Sequence, residues 1–426
     1  MRVRLVWLGL CLFICGAPFA AAQVAASISG KVEDASGAAI GGVTVTVKNA
    51  ETGSTRTATT DDQGEYRVPA LPVGPQEVKA EKSGFRAAVR TGINLVVGQE
   101  AVVNLRLEVG EFAQEVTVAA DAPLVNTTTA QVSGLVNEQQ VKDLPLNGRS
   151  FDNLITLNPG TINYSALKSP QTSTSNGNTF SVAGRRTSEN IVLWNGIEYT
   201  GSSQLAITPG GVSGELLGVD AIREFNVQTD TYSAEYGKRA GGQVTVVTQS
   251  GSNVLHGTMF EFLRNSALDA RNFFDQASVP PFRRNQFGGA LGGPLRKDKL
   301  FLFGNYEGFR QALAVTNVAV VPDAKARQGV IGGSLVPNLN PNILPYMSFW
   351  PTPNGPELGS GTAESFNNPR QNIREDFGTI RSDYVVSNRD SLSGAYTIDD
   401  GNSLIPLADP LFGSGVVIRN QIASLQ

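Results

Sequence analysis

From Gln23 onward, apolar and polar residues alternate with a period of two through much of the chain, a pattern that predicts strands rather than helices. Val43, Val45 and Val47 share one face, and Thr44, Thr46 and Lys48 the other, so this stretch reads as a half-buried strand. Further strands are predicted at Ser27–Val32, Ser54–Thr60, Glu65–Val68, Glu77–Ala80 and Ala101–Leu107. Turn signals separate them at Ala35-Ser36-Gly37, Asp61-Asp62-Gln63-Gly64 and Leu71-Pro72-Val73-Gly74. Short strands at this spacing predict a β-sandwich. The pattern then becomes mixed. Asn137–Leu144 reads as a short helix stopped by Pro145, Ser150–Leu157 as a second helix ended by Asn158-Pro159-Gly160, and Asn163–Thr179 as a long polar loop. After Ser250 the candidate strands lengthen and gain aromatics: Gly257–Leu263, Gln286–Leu291, Leu300–Tyr306, Phe377–Val385 and Leu392–Ile398. These are barrel-like segments, approaching the roughly ten residues of a spanning strand.

The first residues change the compartment. Arg2 and Arg4 precede an apolar run, Leu5–Cys15, and then Ala20-Ala21-Ala22, which reads as a signal peptide over residues 1–22 with cleavage before Gln23. The apolar run falls well short of the roughly 20 residues a membrane helix needs. Both cysteines, Cys11 and Cys15, lie inside it, so the exported chain is expected to carry no disulfide and no cysteine-ligated metal. A net charge of -4 with scattered basic residues gives no stripe for nucleic acid. The one histidine, His256, excludes most catalytic arrangements and zinc sites; it reads as a strand or turn residue. Neither a phosphate-binding loop nor a nucleophile elbow occurs. The expectation is a non-enzyme without cofactor or metal.

Four sets of motifs carry resemblances. Ile28-Ser29-Gly30-Lys31-Val32, Gly42-Val43-Thr44-Val45, Thr59–Tyr66, Leu71-Pro72-Val73-Gly74 and Ser83-Gly84-Phe85 resemble the carboxypeptidase-regulatory-like domain, which implies a transthyretin-like or carbohydrate-binding-like sandwich over residues 23–110. In the following linker, residues 111–123, the segment Glu115-Val116-Thr117-Val118-Ala119 before Asp121-Ala122-Pro123 is similar to a TonB box, whose free backbone donors and acceptors join a partner's sheet edge. The same alternation also fits a last sandwich strand followed by a linker.

Over residues 124–250, Asp143–Phe151 with Asn147-Gly148-Arg149, then Gly184-Arg185-Arg186, then Asn195-Gly196, and finally Val219–Val227 with Tyr236-Gly237 and Gly241-Gly242, resemble the α+β plug of TonB-dependent receptors. Where the family usually has an Asp-Gly turn this chain has Asn195-Gly196, which serves the same turn chemistry. Arg185 and Arg186 read first as salt-bridged structural residues. Asn265–Phe274 and Asn285–Gly289 resemble Oar-like receptors, which implies that residues 251–426 begin an antiparallel outer-membrane β-barrel. Such barrels have about 22 strands, so the expectation is an N-terminal portion with the barrel unfinished. Gly292–Lys299 and Val386–Asp390 would be short periplasmic turns and Pro322–Asn372 an extracellular loop.

The resemblance implies a mainly β receptor of the outer membrane, exported by its signal peptide. It would bind a nutrient such as an oligosaccharide or peptide, contact outer-membrane lipid, and take up the ligand when a TonB-type protein linked to ExbB and ExbD pulls on the box. The alternative is a non-transporting surface or periplasmic adhesion protein with a carbohydrate-binding sandwich.

Overall fold

The computed structural model describes residues 26–110, 115–119, 132–165, 177–199, 209–230, 237–271, 279–314, 317–388, 390–407, 409 and 412–426. The proposed signal peptide, Tyr236 and most of the loop expected at 163–179 lie outside the described residues. The chain divides into two compact units, one holding residues 55–119 with the strands before residue 50, the other holding residues 132–425.

The first unit is a sandwich of two sheets. Its strands are β1 (Ala26–Asp34), β2 (Thr44–Asn49), β3 (Thr55–Thr59), β4 (Glu65–Leu71), β5 (Gly74–Glu81), β6 (Ala87–Leu95), β7 (Glu100–Val102), β8 (Leu105–Leu107) and β9 (Glu115–Ala119). One sheet orders β4-β1-β7, with β8 also on β1; the other orders β3-β2-β5-β6-β9. The alternation read in β2 is realised, since Val45 and Val47 join Ile28, Val32, Val68, Val78 and Leu95 in one core. Tyr66 is buried there, and its hydroxyl donates to Val103 O at 2.6 Å. Burial pushes that hydroxyl well above the usual tyrosine range. Asp61 closes the β3–β4 turn by accepting from the backbone of Gln63 and Glu65, and Gly64 takes the positive φ of 75° that the turn requires.

Two details depart from expectation. Ala101–Leu107 is two strands, not one, because Val103 N donates to Ser29 O and the chain steps along β1 at Asn104. Strand β6 was not legible, because the register shift between Gln76 and Val78 of its neighbour, and Gly92 within it, break the period of two.

The second unit opens with β10 (Val132–Val136) and a short helix, α1 (Glu138–Asp143), capped reciprocally by the side chains of Asn137 and Gln140. The second expected helix is instead a 3-10 segment, Phe151–Leu157, which buries Phe151, Leu154 and Ile155. Strands β11 (Thr161–Asn163) and β12 (Phe180–Val182) pair with each other. β13 (Ile191–Trp194), β14 (Ile197–Glu198), β15 (Ile222–Asp230) and β16 (Gln243–Thr248) join β10 in a five-stranded sheet ordered β10-β15-β16-β13-β14. All six residues of β16 are buried, as expected of a strand covered on both faces.

Beyond this globule runs an antiparallel meander. β17 (His256–Asn265), β18 (Phe282–Arg296) and β19 (Leu300–Ala314) come first. An excursion then carries β20 (Asn317–Pro322), β21 (Val330–Ile331), β22 (Ser334–Leu335), β23 (Glu357–Gly359) and β24 (Thr362–Asn367). β25 (Arg370–Val385), β26 (Ser391–Pro406) and β27 (Gly413–Leu425) complete an open six-stranded sheet ordered β17-β18-β19-β25-β26-β27. The sheet does not close into a barrel.

These strands are longer than the pattern suggested, at 15 residues for β18 and β19 and 16 for β25 and β26. The added lengths, such as Arg370–Asp376, carry polar side chains on both faces, so alternation of hydrophobicity does not mark them. The expected turn Gly292–Lys299 narrows to residues 297–299, because Gly292, Gly293, Pro294 and Arg296 pair with Phe303, Leu302, Phe301 and Leu300, and the expected loop Pro322–Asn372 contains its own small sheets and the first residues of β25. β27 was not anticipated at all. Along β19, Phe303, Glu307 and Phe309 are buried against the globule, Phe301 and Asn305 are buried on the same face, and Leu302 and Tyr306 stand on the opposite one.

Candidate functional site

The most ordered chemistry in the second unit is the seam where the globule meets the long strands. Three nodes hold it, and each places a side chain of one layer on a group of the other.

The first node is built on Asn147-Gly148-Arg149. Gly148 (φ 70°) and Arg149 (φ 56°) both take left-handed conformations in a 3-10 turn, which swings the guanidinium toward the sheet. Arg149 Nη2 donates to Asp220 Oδ2 at 2.5 Å, and Nε lies 3.5 Å from Glu307 Oε1. The guanidinium also covers the Phe260 ring, 3.8 Å from its centroid. Thr258 Oγ1 donates to the other oxygen of Asp220. Glu307, whose side chain is fully buried, accepts from Gly218 N at 2.9 Å and from Gln286 Nε2 at 2.7 Å. Gln286 Nε2 also reaches Gly148 O at 3.1 Å. A buried carboxylate is tolerated only with such partners, because its desolvation otherwise outweighs its attractions.

The second node is Glu375 of β25, buried, whose Oε2 accepts from Ser213 N at 2.7 Å. Gly211 lies so close that a Cβ there would sit 1.9 Å from Glu375 Oε1. Gly218 is constrained likewise: its φ is 95°, and a Cβ would meet the Phe377 ring at 2.3 Å. Gly218→Ala is therefore expected to cost about 3 kcal/mol through backbone strain and overpacking, seen as a lower denaturation midpoint; an unchanged midpoint would show that the seam relaxes freely at this point.

The third node is aromatic. Trp194, fully buried, packs against Phe151, Tyr199 and Phe377 with ring centroids 6.2, 5.9 and 6.1 Å away, and its Nε1 donates to Thr397 Oγ1 at 3.1 Å. Burial, and then the Asp399 and Glu375 carboxylates, push the Tyr199 hydroxyl well above its ordinary value, so this ring stays neutral. Nearby, Arg381 Nη1 of β25 donates to Thr248 O at 3.0 Å.

The residues singled out from sequence fall into distinct places. Asn195 (φ 48°) and Gly196 (φ 83°) form the β13–β14 turn, and Asn195 exchanges hydrogen bonds with Thr248. Gly184 (φ 72°) is a turn residue; Arg185 pairs with Asp230 at 3.3 Å, and Arg186 precedes a 3-10 turn. Gly241 and Gly242 allow close approach, since a Cβ on either would meet Glu189 or Val182 at under 3 Å. Gly237 is described but touches none of the three nodes, and Tyr236 lies outside the described residues. Of the set, Gly148 and Arg149 reach the seam. Glu115–Ala119 form β9, the terminal strand of the five-stranded sandwich sheet, paired in parallel with β6. Sequence reasoning missed Glu307, Glu375, Thr397 and Arg381. The available signal was a polar residue at an inward position of a strand otherwise lined by phenylalanines, as at Phe303-Gly304-Asn305-Tyr306-Glu307.

Among the described residues no group of three or more His, Cys, Asp or Glu could hold a metal ion, and no helix is long and apolar enough to cross a membrane.

Comparison with known proteins gives two family matches: "Carboxypeptidase regulatory-like domain" over residues 27–108 and "Outer membrane beta barrel domain" over residues 247–424. The chain is 28% identical over 279 residues to the TonB-dependent transporter Oar of Myxococcus xanthus, an alignment covering 62% of this chain and 25% of that protein. Among solved structures, the outer-membrane transporter YddB of Escherichia coli aligns with a TM-score of 0.44 at 13% identity, covering 69% of this chain and 36% of that one. A mutant of the ferric enterobactin receptor PfeA of Pseudomonas aeruginosa aligns with a TM-score of 0.42 at 12% identity, covering 69% and 38%. The chain thus spans about a quarter of the length of the curated relative it matches. The chain thus carries a match to a carboxypeptidase regulatory-like domain ahead of a match to an outer membrane beta barrel domain, and over 279 residues it is similar to a TonB-dependent transporter.

Proposed function

We propose that the chain supplies the sandwich, the plug and the first wall strands of a receptor that binds a nutrient outside the cell and admits it when a TonB-type protein pulls. In this reading residues 1–22 direct export, 23–110 are the regulatory-like sandwich, 111–123 the linker with the box, 124–250 the plug, and 251–426 the beginning of the barrel. The work is binding and transport, without catalysis. The partners are a TonB-type energy-transducing protein linked to ExbB and ExbD, outer-membrane lipid, and an oligosaccharide or peptide ligand.

One observation carries the proposal: backbone amides of the globule, Ser213 and Gly218, donate to buried carboxylates of the wall, Glu375 and Glu307. A hydrophobic core alone would weld the layers. Directional bonds, each worth about 0.5–1.5 kcal/mol net, hold one seated position and can be exchanged for water when the globule shifts. A ligand moves that balance only if it binds the seated and shifted states differently.

Val118→Pro tests the coupling. Removing one backbone donor from the Glu115–Ala119 segment should abolish its capture by a purified TonB C-terminal domain while leaving the unfolding of residues 132–425 unchanged. Undiminished pull-down would remove the box from this segment.

A further inference from the structure

The same segment that serves as the box in this reading is already a strand of the sandwich. β9 pairs in parallel with β6 over Ala87↔Glu115, Ala88↔Val116, Val89↔Thr117, Arg90↔Val118 and Thr91↔Ala119. The chain is led there. Arg86 N donates to Glu108 O at 2.8 Å, Gly110 N to Gly84 O at 3.3 Å, Phe85 bridges Val109, and the Arg86 and Glu108 side chains form an ion pair at 3.3 Å. These bonds fix residues 108–110 beside the start of β6, close in sequence to Glu115, so bringing the next strand to the β6 edge carries a small entropic cost.

We infer that the β6 edge is a resting dock for the box, so that the sandwich competes with the energy-transducing partner for residues 115–119. The inference rests on the box assignment proposed above. A strand offers half of its backbone donors and acceptors to each side. In the docked state the half facing β6 is committed, so a partner strand that pairs through that half is excluded, and any pull on β9 is resisted by the sandwich sheet before it reaches residues 132 onward. Capture that transmits force must therefore take the segment off β6. The dock suits that exchange: it is five residues long, lies at the sheet edge, and is parallel, the slightly weaker of the two pairings. The sandwich thereby acts as a gate on coupling, one that a ligand or protein bound to the regulatory-like domain could open or close.

A reversible lock tests this. Cα atoms on neighbouring strands lie about 4.8 Å apart, within the roughly 4.4–6.8 Å that a disulfide spans. Ala88→Cys with Val116→Cys, in the full chain with Cys11→Ser and Cys15→Ser, should crosslink on oxidation and hold β9 on β6. Binding of a purified TonB C-terminal domain should fall at least tenfold in the oxidised protein and return on reduction of the same sample, which excludes misfolding as the cause. Equal binding in both redox states would overturn the dock as a competitor and leave the box assignment standing. Failure of the pair to crosslink would overturn the docked register. If the reduced protein and the parent chain both fail to bind, the box assignment falls, and this inference with it.

Discussion

Glu307→Leu is expected to destabilise the second unit by about 3–5 kcal/mol, the usual effect of removing one partner from a buried ion pair. The carboxylate is fully buried and accepts from Gly218 N and Gln286 Nε2, with the Arg149 guanidinium 3.5 Å away. Leucine fills a similar volume but leaves the Gly218 amide and one side of Arg149 without an acceptor. Asp220 still pairs with Arg149, which places the expected loss toward the lower end of the range. Glu307→Gln keeps an acceptor for Gly218 and should lose about half as much. Denaturant unfolding in detergent, followed by tryptophan fluorescence, reads both variants. A shift below about 1 kcal/mol for Glu307→Leu would mean that this carboxylate is solvated in practice and that the polar seam does not seat the globule.

Trp194→Ala should cost a similar amount, about 3–5 kcal/mol, for a different reason. It opens a cavity at the junction of three rings, Phe151, Tyr199 and Phe377, of which the last belongs to the wall strand β25. Trp194→Phe retains most of the packing and deletes the donor to Thr397, so it isolates a hydrogen bond of about 1 kcal/mol. Combining Trp194→Phe with Thr397→Val should be less damaging than the sum of the two, because the pair then loses both partners together. Strict additivity would show that the bond contributes nothing to seating.

Much of the sandwich was legible because each strand buries one face, so Val43, Val45 and Val47 announce both the strand and its register. The turns were legible for a local reason as well: Asn195-Gly196 and Asp61–Gly64 contain the residues that left-handed or side-chain-closed backbone requires. β6 escaped because a register shift interrupts its period, and the polar ends of β25 because neither face there is apolar. The 3-10 segment at Phe151–Leu157 was read as a helix since the two share spacings of three residues; Ser150, whose hydroxyl accepts from Leu216 N and donates to Asp152, holds the tighter turn.

By itself the sequence determined the mainly β class and the turn positions where glycine takes a positive φ, such as Gly64, Gly148, Gly184 and Gly196, because these follow from local sterics and from the burial of one face. Only the tertiary structure decided which polar residues matter at the seam. Glu307 and Glu375 resemble any other charged residue in a strand until the fold brings them to Gly218 and Ser213, and Glu115–Ala119 fits either a free box or a last sandwich strand until β6 appears beside it. The physical reason is the same in each case: partners 89 and 162 residues apart leave no periodic trace in the chain.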